Sequence, residues 1–256
     1  MNSTATPRPS STIALARAGS LDPEIFMVKR HARSSFGSAY AFPGGVVDPE
    51  DAEVAAHCDG LDDREASSRL GIEAGGLEYF SAAIRELFEE TGVLLADYER
   101  LDENLGAVRD SLNAGDGNWA DFVKRGDCRL QCDRLHYFSH WVTPQRMEKR
   151  YSTRFFLAAL PPGQEAAHCG GELTESCWVT AKEMLAAGRR GDAKLHFPTI
   201  KTLETIARHK SLDALLDWAA SKYEWGITSM IPRMIERNGK REVVLPGDKD
   251  YPGDPQ

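Results

Sequence analysis

Around residues 80–92, apolar and acidic positions separate with a period that only a helix gives meaning. Phe80, Ile84, Leu87 and Thr91 fall on one stripe, while Glu86, Glu89 and Glu90 project together from another. One face packs, the other gathers negative charge, and Gly92 ends the helix. Elsewhere the pattern predicts strands. Residues 12–16 and 25–29, joined through Leu21-Asp22-Pro23, read as strand, turn and strand. Residues 135–143 are aromatic and β-branched and bounded by Pro144, and residues 153–160 return to the closing Pro161-Pro162-Gly163. A further strand is expected over 170–179, with Thr180 capping a helix over 181–187.

Helical spacing resumes over 198–209 and, after a cap at Ser211, runs to 220. Residues 227–236 and 241–245 flank Asn238-Gly239 as a hairpin, and Pro232 suggests an edge position. Neither the helices nor the hairpin offers an obvious chemical group, so both read as supports of the site. Residues 98–112 and 119–124 also read as helical. Residues 1–11, rich in Ser, Thr and Pro, read as a disordered leader before a single domain over 12–256.

Composition narrows the classes of function. The chain is 41% hydrophobic over 256 residues, ample for a core. A net charge of −8 argues against nucleic acid as the partner, since no long basic face is present to neutralise phosphates. No apolar run is long enough to span a membrane, so no membrane partner is expected. Five cysteines without a regular framework suit reduced thiols in the cytoplasm. The ending Gly253-Asp254-Pro255-Gln256 is not a peroxisomal address of the Ser-Lys-Leu type, and cytoplasmic is the default reading.

Three carboxylates on one helix face repel each other, at about 0.2–0.5 kcal/mol per pair. A hard divalent cation turns that penalty into a site, and oxygen-only ligands suit Mg²⁺ or Mn²⁺ rather than zinc. A different metal pattern is offered by Cys128, Cys132, His136 and His140, which recur every fourth residue. They would line one face of a helix as zinc ligands, but the strand expected over 135–143 separates them.

The string Arg85-Glu86-Leu87-Phe88-Glu89-Glu90-Thr91-Gly92-Val93 resembles the second half of the Nudix box. Its first half, a glycine, five residues and a glutamate, resembles the stretch Phe42-Pro43-Gly44-Gly45-Val46-Val47-Asp48-Pro49-Glu50-Asp51. Counting from Gly44 lands on Glu50, and from Gly45 on Asp51. The gap to Arg85 is far longer than the usual seven residues, which implies an insertion at about 52–76. That insertion carries short helices over 51–56 and 63–70 and reads as a solvated embellishment, with a lid or dimer contact as alternatives. Which carboxylate is the outer one, Glu50, Asp51 or Glu78, is left open.

The residues before the glycines, 26–43, resemble the coenzyme A motif of CoA diphosphatases. Trp141-Val142-Thr143-Pro144, Arg150-Tyr151-Ser152-Thr153-Arg154-Phe155-Phe156 and Leu245-Pro246-Gly247-Asp248 are similar to the peroxisomal branch of that family and its bacterial relatives. The resemblance implies an α/β/α Nudix sandwich with a mixed sheet, extended by C-terminal helices and a hairpin. It implies a metal-dependent diphosphatase using Arg85, Glu86, Glu89 and Glu90, with the three glutamates as metal ligands. The substrate it implies is a small nucleotide, CoA or acyl-CoA, cleaved to 4′-phosphopantetheine and adenosine 3′,5′-bisphosphate. Lys29, Arg30 and Arg33, beside Gly44 and Gly45, are candidates to bind that substrate, with Arg150 and Arg154 behind them. Glu172 or Glu175 could assist the metal or activate a water. Hydrolysis of ADP-ribose or NADH, and nucleotide binding without catalysis, are the alternatives, and a homodimer is allowed.

Overall fold

The computed structural model describes residues 5–30, 37–98, 104–170, 173–237 and 239–252, without the side chains of Arg30, Trp225 and Lys240. The chain opens with strands β1 (Arg8–Arg17), β2 (Glu24–Arg30), β3 (Tyr40–Ala41) and β4 (Gly44–Val46). Helix α1 (Pro49–Glu53), strand β5 (Cys58–Asp59) and helix α2 (Asp63–Leu70) lead to the long helix α3 (Gly76–Thr91). Then come β6 (Ala96–Asp97), α4 (Leu105–Ala114), α5 (Trp119–Arg125), β7 (Arg129–Gln131), β8 (His136–Val142), β9 (Tyr151–Ala159) and β10 (Leu173–Thr180). Helices α6 (Ala181–Arg190), α7 (Phe197–Ile206) and α8 (Leu212–Ser221) precede β11 (Ser229–Met230), β12 (Arg233–Arg237) and β13 (Lys240–Val244).

Among the described residues the main sheet has eight strands, in the order β10-β2-β1-β9-β8-β11, with β3 on β2 and β4 on β1. It is mixed: β1 runs parallel to β9, and β11 to β8, while the other pairs are antiparallel. Because side chains alternate along a strand, each strand feeds two cores. Ile13, Leu15, Phe26, Val28 and Phe156 point to the side where α3 lies, and meet Phe80, Ile84 and Leu87. Ala14, Ile25, Met27, Phe155 and Leu157 point the other way, onto Met184, Leu203 and Leu215 of α6, α7 and α8. The sheet is thus sandwiched between helical layers. No helix among the described residues is long and apolar enough to cross a membrane, and all five cysteines are unbridged.

Three expectations are corrected. The leader is shorter, because residues 8–11 belong to β1: Arg8 already pairs with Tyr151, and Ser10 and Ser11 with Val46 and Gly45. Their backbone groups are satisfied from both sides, and the Ser11 hydroxyl donates to the Tyr79 carbonyl at 2.7 Å. Residues 1–4 lie outside the described set. The segment 227–236 is not one hairpin arm; it breaks at Ile231-Pro232 into β11, on the main sheet, and β12, paired with β13. Proline lacks the N–H that a continuous ladder needs. Asn238, placed in that turn, lies outside the described residues. Of the helix expected over 98–112, residues 99–103 lie outside the described set, and the described helix starts at Leu105, where the Asn104 side chain accepts from the N–H groups of Gly106 and Ala107.

The insertion is not a solvated embellishment. Val54, Leu61, Ala66 and Leu70 are buried in the same core as α3. The insertion also caps that helix. The Asp63 carboxylate accepts from the N–H groups of Gly75 and Leu77, and the Ser67 hydroxyl from that of Gly76. These are first-turn donors that no helical carbonyl can reach, and the helix dipole favours a negative partner there.

Of the residues whose spacing raised zinc, Cys128 precedes β7, Cys132 opens a short 3₁₀ turn, and His136 and His140 lie on β8. His140 instead ties β11 to the sheet: its Nδ1 meets the Ser229 hydroxyl at 2.7 Å and its Nε2 the Ser152 hydroxyl at 2.8 Å. Burial, reinforced by the charge of Arg154, lowers its pKa from 6.5 to about 4. The unfolded chain therefore binds the proton first. The stability contributed by neutral His140 is complete above pH 6.5 and is lost as pH falls towards 4, by up to about 3 kcal/mol. His140→Gln is expected to flatten the acid limb of the stability curve in that window, as measured by urea unfolding at a series of pH values.

Candidate active site

Helix α3 carries the chemistry because its two faces are fixed by packing. Phe80, Ile84, Leu87 and Phe88 are wholly buried, and the helix stops at Gly92, whose N–H bonds to the Phe88 carbonyl at 2.8 Å. The opposite face holds Arg85, which is 5% exposed. Its Nε and Nη2 donate to the two oxygens of Asp51, each at 3.1 Å, and Nη2 also to the Val46 carbonyl at 2.8 Å. Its Nη1 reaches Glu86 at 3.0 Å and Glu89 at 3.4 Å.

Of the three carboxylates that the spacing left open, Asp51 is the one that pairs with Arg85. It is fully buried and bridges Arg85 to the Ser81 hydroxyl, 3.1 Å away, which in turn accepts from the Trp119 indole at 3.2 Å. Glu50 points elsewhere and accepts the backbone N–H of Trp119 at 2.7 Å. The count from Gly45 thus lands on the carboxylate that holds Arg85.

Electrostatics within this cluster pull in two directions. Burial pushes the Asp51 carboxyl up, only partly offset by Arg85. Burial works against the Arg85 cation, but Glu86 and Asp51 outweigh it and hold the guanidinium firmly charged. Glu89 is raised from 4.5 to about 7, by burial first, with Arg85 drawing it down and Glu86 pushing it up.

Strand β4 lies directly over these carboxylates. The Gly44 N–H donates to Glu90 Oε2 at 3.0 Å. A Cβ on Gly45 would come within 2.2 Å of Glu86 Oε1, so glycine makes the space that this carboxylate fills. Arg85 and Gly44 draw the three glutamates to different partners, and among the described residues no three His, Cys, Asp or Glu side chains close on one point. The donor set nevertheless fits a hard divalent cation: ionisable oxygens on one helix face, with a cradle opened by the missing Cβ.

Gly45→Ala is therefore expected to fold, because the clash is with the mobile end of a side chain, yet to lower kcat by ~10²-fold by displacing Glu86. Gly44→Ala differs. With φ near 150° and the Ser11 carbonyl 2.3 Å from the added carbon, it should cost more than ~1 kcal/mol of stability. Turnover and thermal melting measured side by side separate the two effects.

On the other face of β4 lies a cavity of about 480 Å³. Its wall includes Gly44 and Gly45 themselves, Phe42, Trp141 and Phe155 from the sheet, and Phe197 at the start of α7. The C-terminal extension thus contributes directly to a binding space, through α7 and through Pro232 and Val243 around the hairpin. Sequence reading missed it. The one signal was the Trp141-Val142-Thr143-Pro144 run, which places an aromatic ring and a turn at its rim.

Of the expected substrate contacts, Gly44 and Gly45 are at the centre, and the described basic residues Lys29, Arg150 and Arg154 are held by other partners. Lys29 pairs with Glu175 at 3.0 Å, and Tyr40 donates to the same carboxylate at 2.8 Å. That network occupies Lys29 and Glu175 on β2 and β10, away from the glutamate cluster. Arg150 clamps backbone, donating to the carbonyls of Thr143 at 3.1 Å and Ala5 at 2.8 Å. Arg154 is buried on the α3 side with its guanidinium 4.1 Å from the Tyr79 ring centre. The Arg30 side chain, Arg33 and Glu172 lie outside the described residues.

Comparison with known proteins bears on this geometry. Residues 74–206 match the NUDT19 Nudix domain family. The chain is similar to putative nudix hydrolase 7 of Caenorhabditis elegans, 26% identical over 230 residues that span 89% of this chain and 69% of the worm protein. It is similar also to acyl-coenzyme A diphosphatase NUDT19 of Gallus gallus, 27% identical over 289 aligned residues that span 93% and 75%. Among solved structures, a NUDIX hydrolase from Alicyclobacillus acidocaldarius superimposes with a TM-score of 0.71 at 25% identity, covering 84% of this chain and 97% of that one. The α/β fold expected from the sequence is the one they share.

Proposed function

The chain belongs to the NUDT19 Nudix domain family and is a Nudix hydrolase, and from that premise we propose that it cleaves the diphosphate of CoA and acyl-CoA. The observation that carries the proposal is the placement, against one short strand, of a glutamate cluster on one face and an apolar cavity on the other. CoA has that division, a doubly charged diphosphate joined to an uncharged arm. The likeness over most of the chain to a protein named acyl-coenzyme A diphosphatase supports the same substrate.

In the reaction, water adds to one phosphorus, the bridging P–O bond breaks, and the bridging oxygen leaves on the other phosphate. The products are 4′-phosphopantetheine, acylated or free, and adenosine 3′,5′-bisphosphate. Glu86, Glu89 and Glu90 would hold Mg²⁺ or Mn²⁺, which when bound supplies positive charge to phosphoryl oxygens and acidifies water. Arg85 positions two of those glutamates through Nη1, and is itself anchored by Asp51. The N–H of Gly44 orients Glu90.

The test is product analysis with CoA, acetyl-CoA, ADP-ribose and NADH, each with Mg²⁺, with Mn²⁺ and with chelator. Metal-dependent release of adenosine 3′,5′-bisphosphate, faster than cleavage of the other two nucleotides, is expected. Faster turnover of ADP-ribose or NADH would keep the hydrolase and discard CoA.

A further inference from the structure

We infer that the cavity behind β4 receives the acyl chain of a fatty-acyl thioester, so that the enzyme selects among acyl-CoA substrates by chain length. The inference rests on the CoA reading above and adds to it the site and the chemistry of the discriminating group. Among the described residues lining the cavity none is Asp, Glu, Lys or Arg, and His196 is its one basic side chain. A phosphate or carboxylate would find no Lys or Arg among them, whereas an uncharged chain needs none. At the rim stand Met147, 51% exposed, and Val243, 43% exposed. Apolar side chains left in water around an opening are what an apolar ligand covers.

The aromatic rings of the wall favour a chain over a flat base. Phe42 meets Phe155, and Trp141 meets Phe197, edge to face at 84° in both pairs. The rings are thus closed on one another, and no parallel pair of faces stands open to sandwich adenine. The connection to the reacting end is short. Gly44 and Gly45 line the cavity and touch Glu90 and Glu86 on the other side, and β4 pairs with β1 alone among the strands. A ligand that spans β4 would place its diphosphate at the glutamates and its tail in the cavity.

Calorimetric titration in chelator, which reads binding without turnover, compares octanoyl-CoA with acetyl-CoA, and steady-state hydrolysis with Mg²⁺ is measured beside it. Octanoyl-CoA is expected to bind about tenfold tighter or more, well below the ceiling of roughly fourfold per buried methylene. Thr153→Phe, which fills the cavity from β9, should erase that advantage, read as the ratio of octanoyl-CoA to acetyl-CoA affinity. Val243→Glu sits on the exposed rim, so it folds even if Thr153→Phe does not, and should weaken octanoyl-CoA alone. Equal affinity for the two thioesters would overturn the inference. So would a Thr153→Phe protein that weakens CoA, ADP-ribose and octanoyl-CoA alike, which would give the cavity to the adenine. Chain-dependent binding without cleavage of any CoA compound would keep the cavity assignment and sink the reaction, whereas cleavage without chain dependence would do the reverse.

Discussion

Glu90→Gln is expected to reduce turnover by ~10²–10³-fold, the loss typical of removing one preorganised stabiliser of transition-state charge, while the protein stays folded. The substitution suits the question because of what it preserves. Glu90 Oε2 accepts the Gly44 N–H at 3.0 Å, and an amide oxygen can accept the same bond, so the contact between helix and strand survives and only the charge is removed. Glu78→Gln is the control. Glu78 stands on the same helix, with a pKa raised by burial and then by Asp63 and Asp51, but outside the cluster beneath β4, and its loss should leave turnover unchanged. Steady-state kinetics with circular dichroism on both variants decide the matter. Full activity in Glu90→Gln would remove that residue from the machinery.

The second large effect concerns stability. Arg85→Met should cost about 3–5 kcal/mol, because it strands a carboxylate that is fully buried. Asp51 would keep only the Ser81 hydroxyl and the Asp48 N–H as donors. A loss of that size is a large share of the stability of an ordinary domain. Placing the same change in an Asp51→Asn background should recover ~2 kcal/mol of it, since the uncompensated charge is then absent. Urea midpoints for the four proteins of the cycle measure the coupling, and additive costs would show that the pair does not act as a unit.

The helix at the centre of the site was legible because everything that shapes it is local. Its stripe repeats at the helical period, its carboxylates fall on the other face, and Gly92 ends it within the same stretch. Asp51 was half legible. Glu50 and Asp51 each satisfy a count from a glycine, and only the orientation of α1 turns Asp51 inward to Arg85 and Glu50 outward to Trp119. Lys29 looked free because its partner, Glu175, is 146 residues away. The insertion looked solvated because Val54, Leu61, Ala66 and Leu70 are scattered among polar residues, and their common burial depends on the underside of α3. The cavity was illegible for the same reason on a larger scale, with Phe42, Trp141, Phe197 and Val243 drawn from four distant segments.

The split between Asp51 and Arg85 also bears on how the molecule comes together. The two residues are 34 positions apart, where the usual box spacing would make it about eight, and closing the longer loop costs about 1.3 kcal/mol more in chain entropy. A motif that is ordinarily a local contact has become a long-range one. During synthesis Asp51 emerges 34 residues ahead of the arginine it will hold, and the insertion that carries α2 lies between the two halves. Hydrolytic competence and complete folding therefore arrive together, and a chain that is only partly folded is an inactive one.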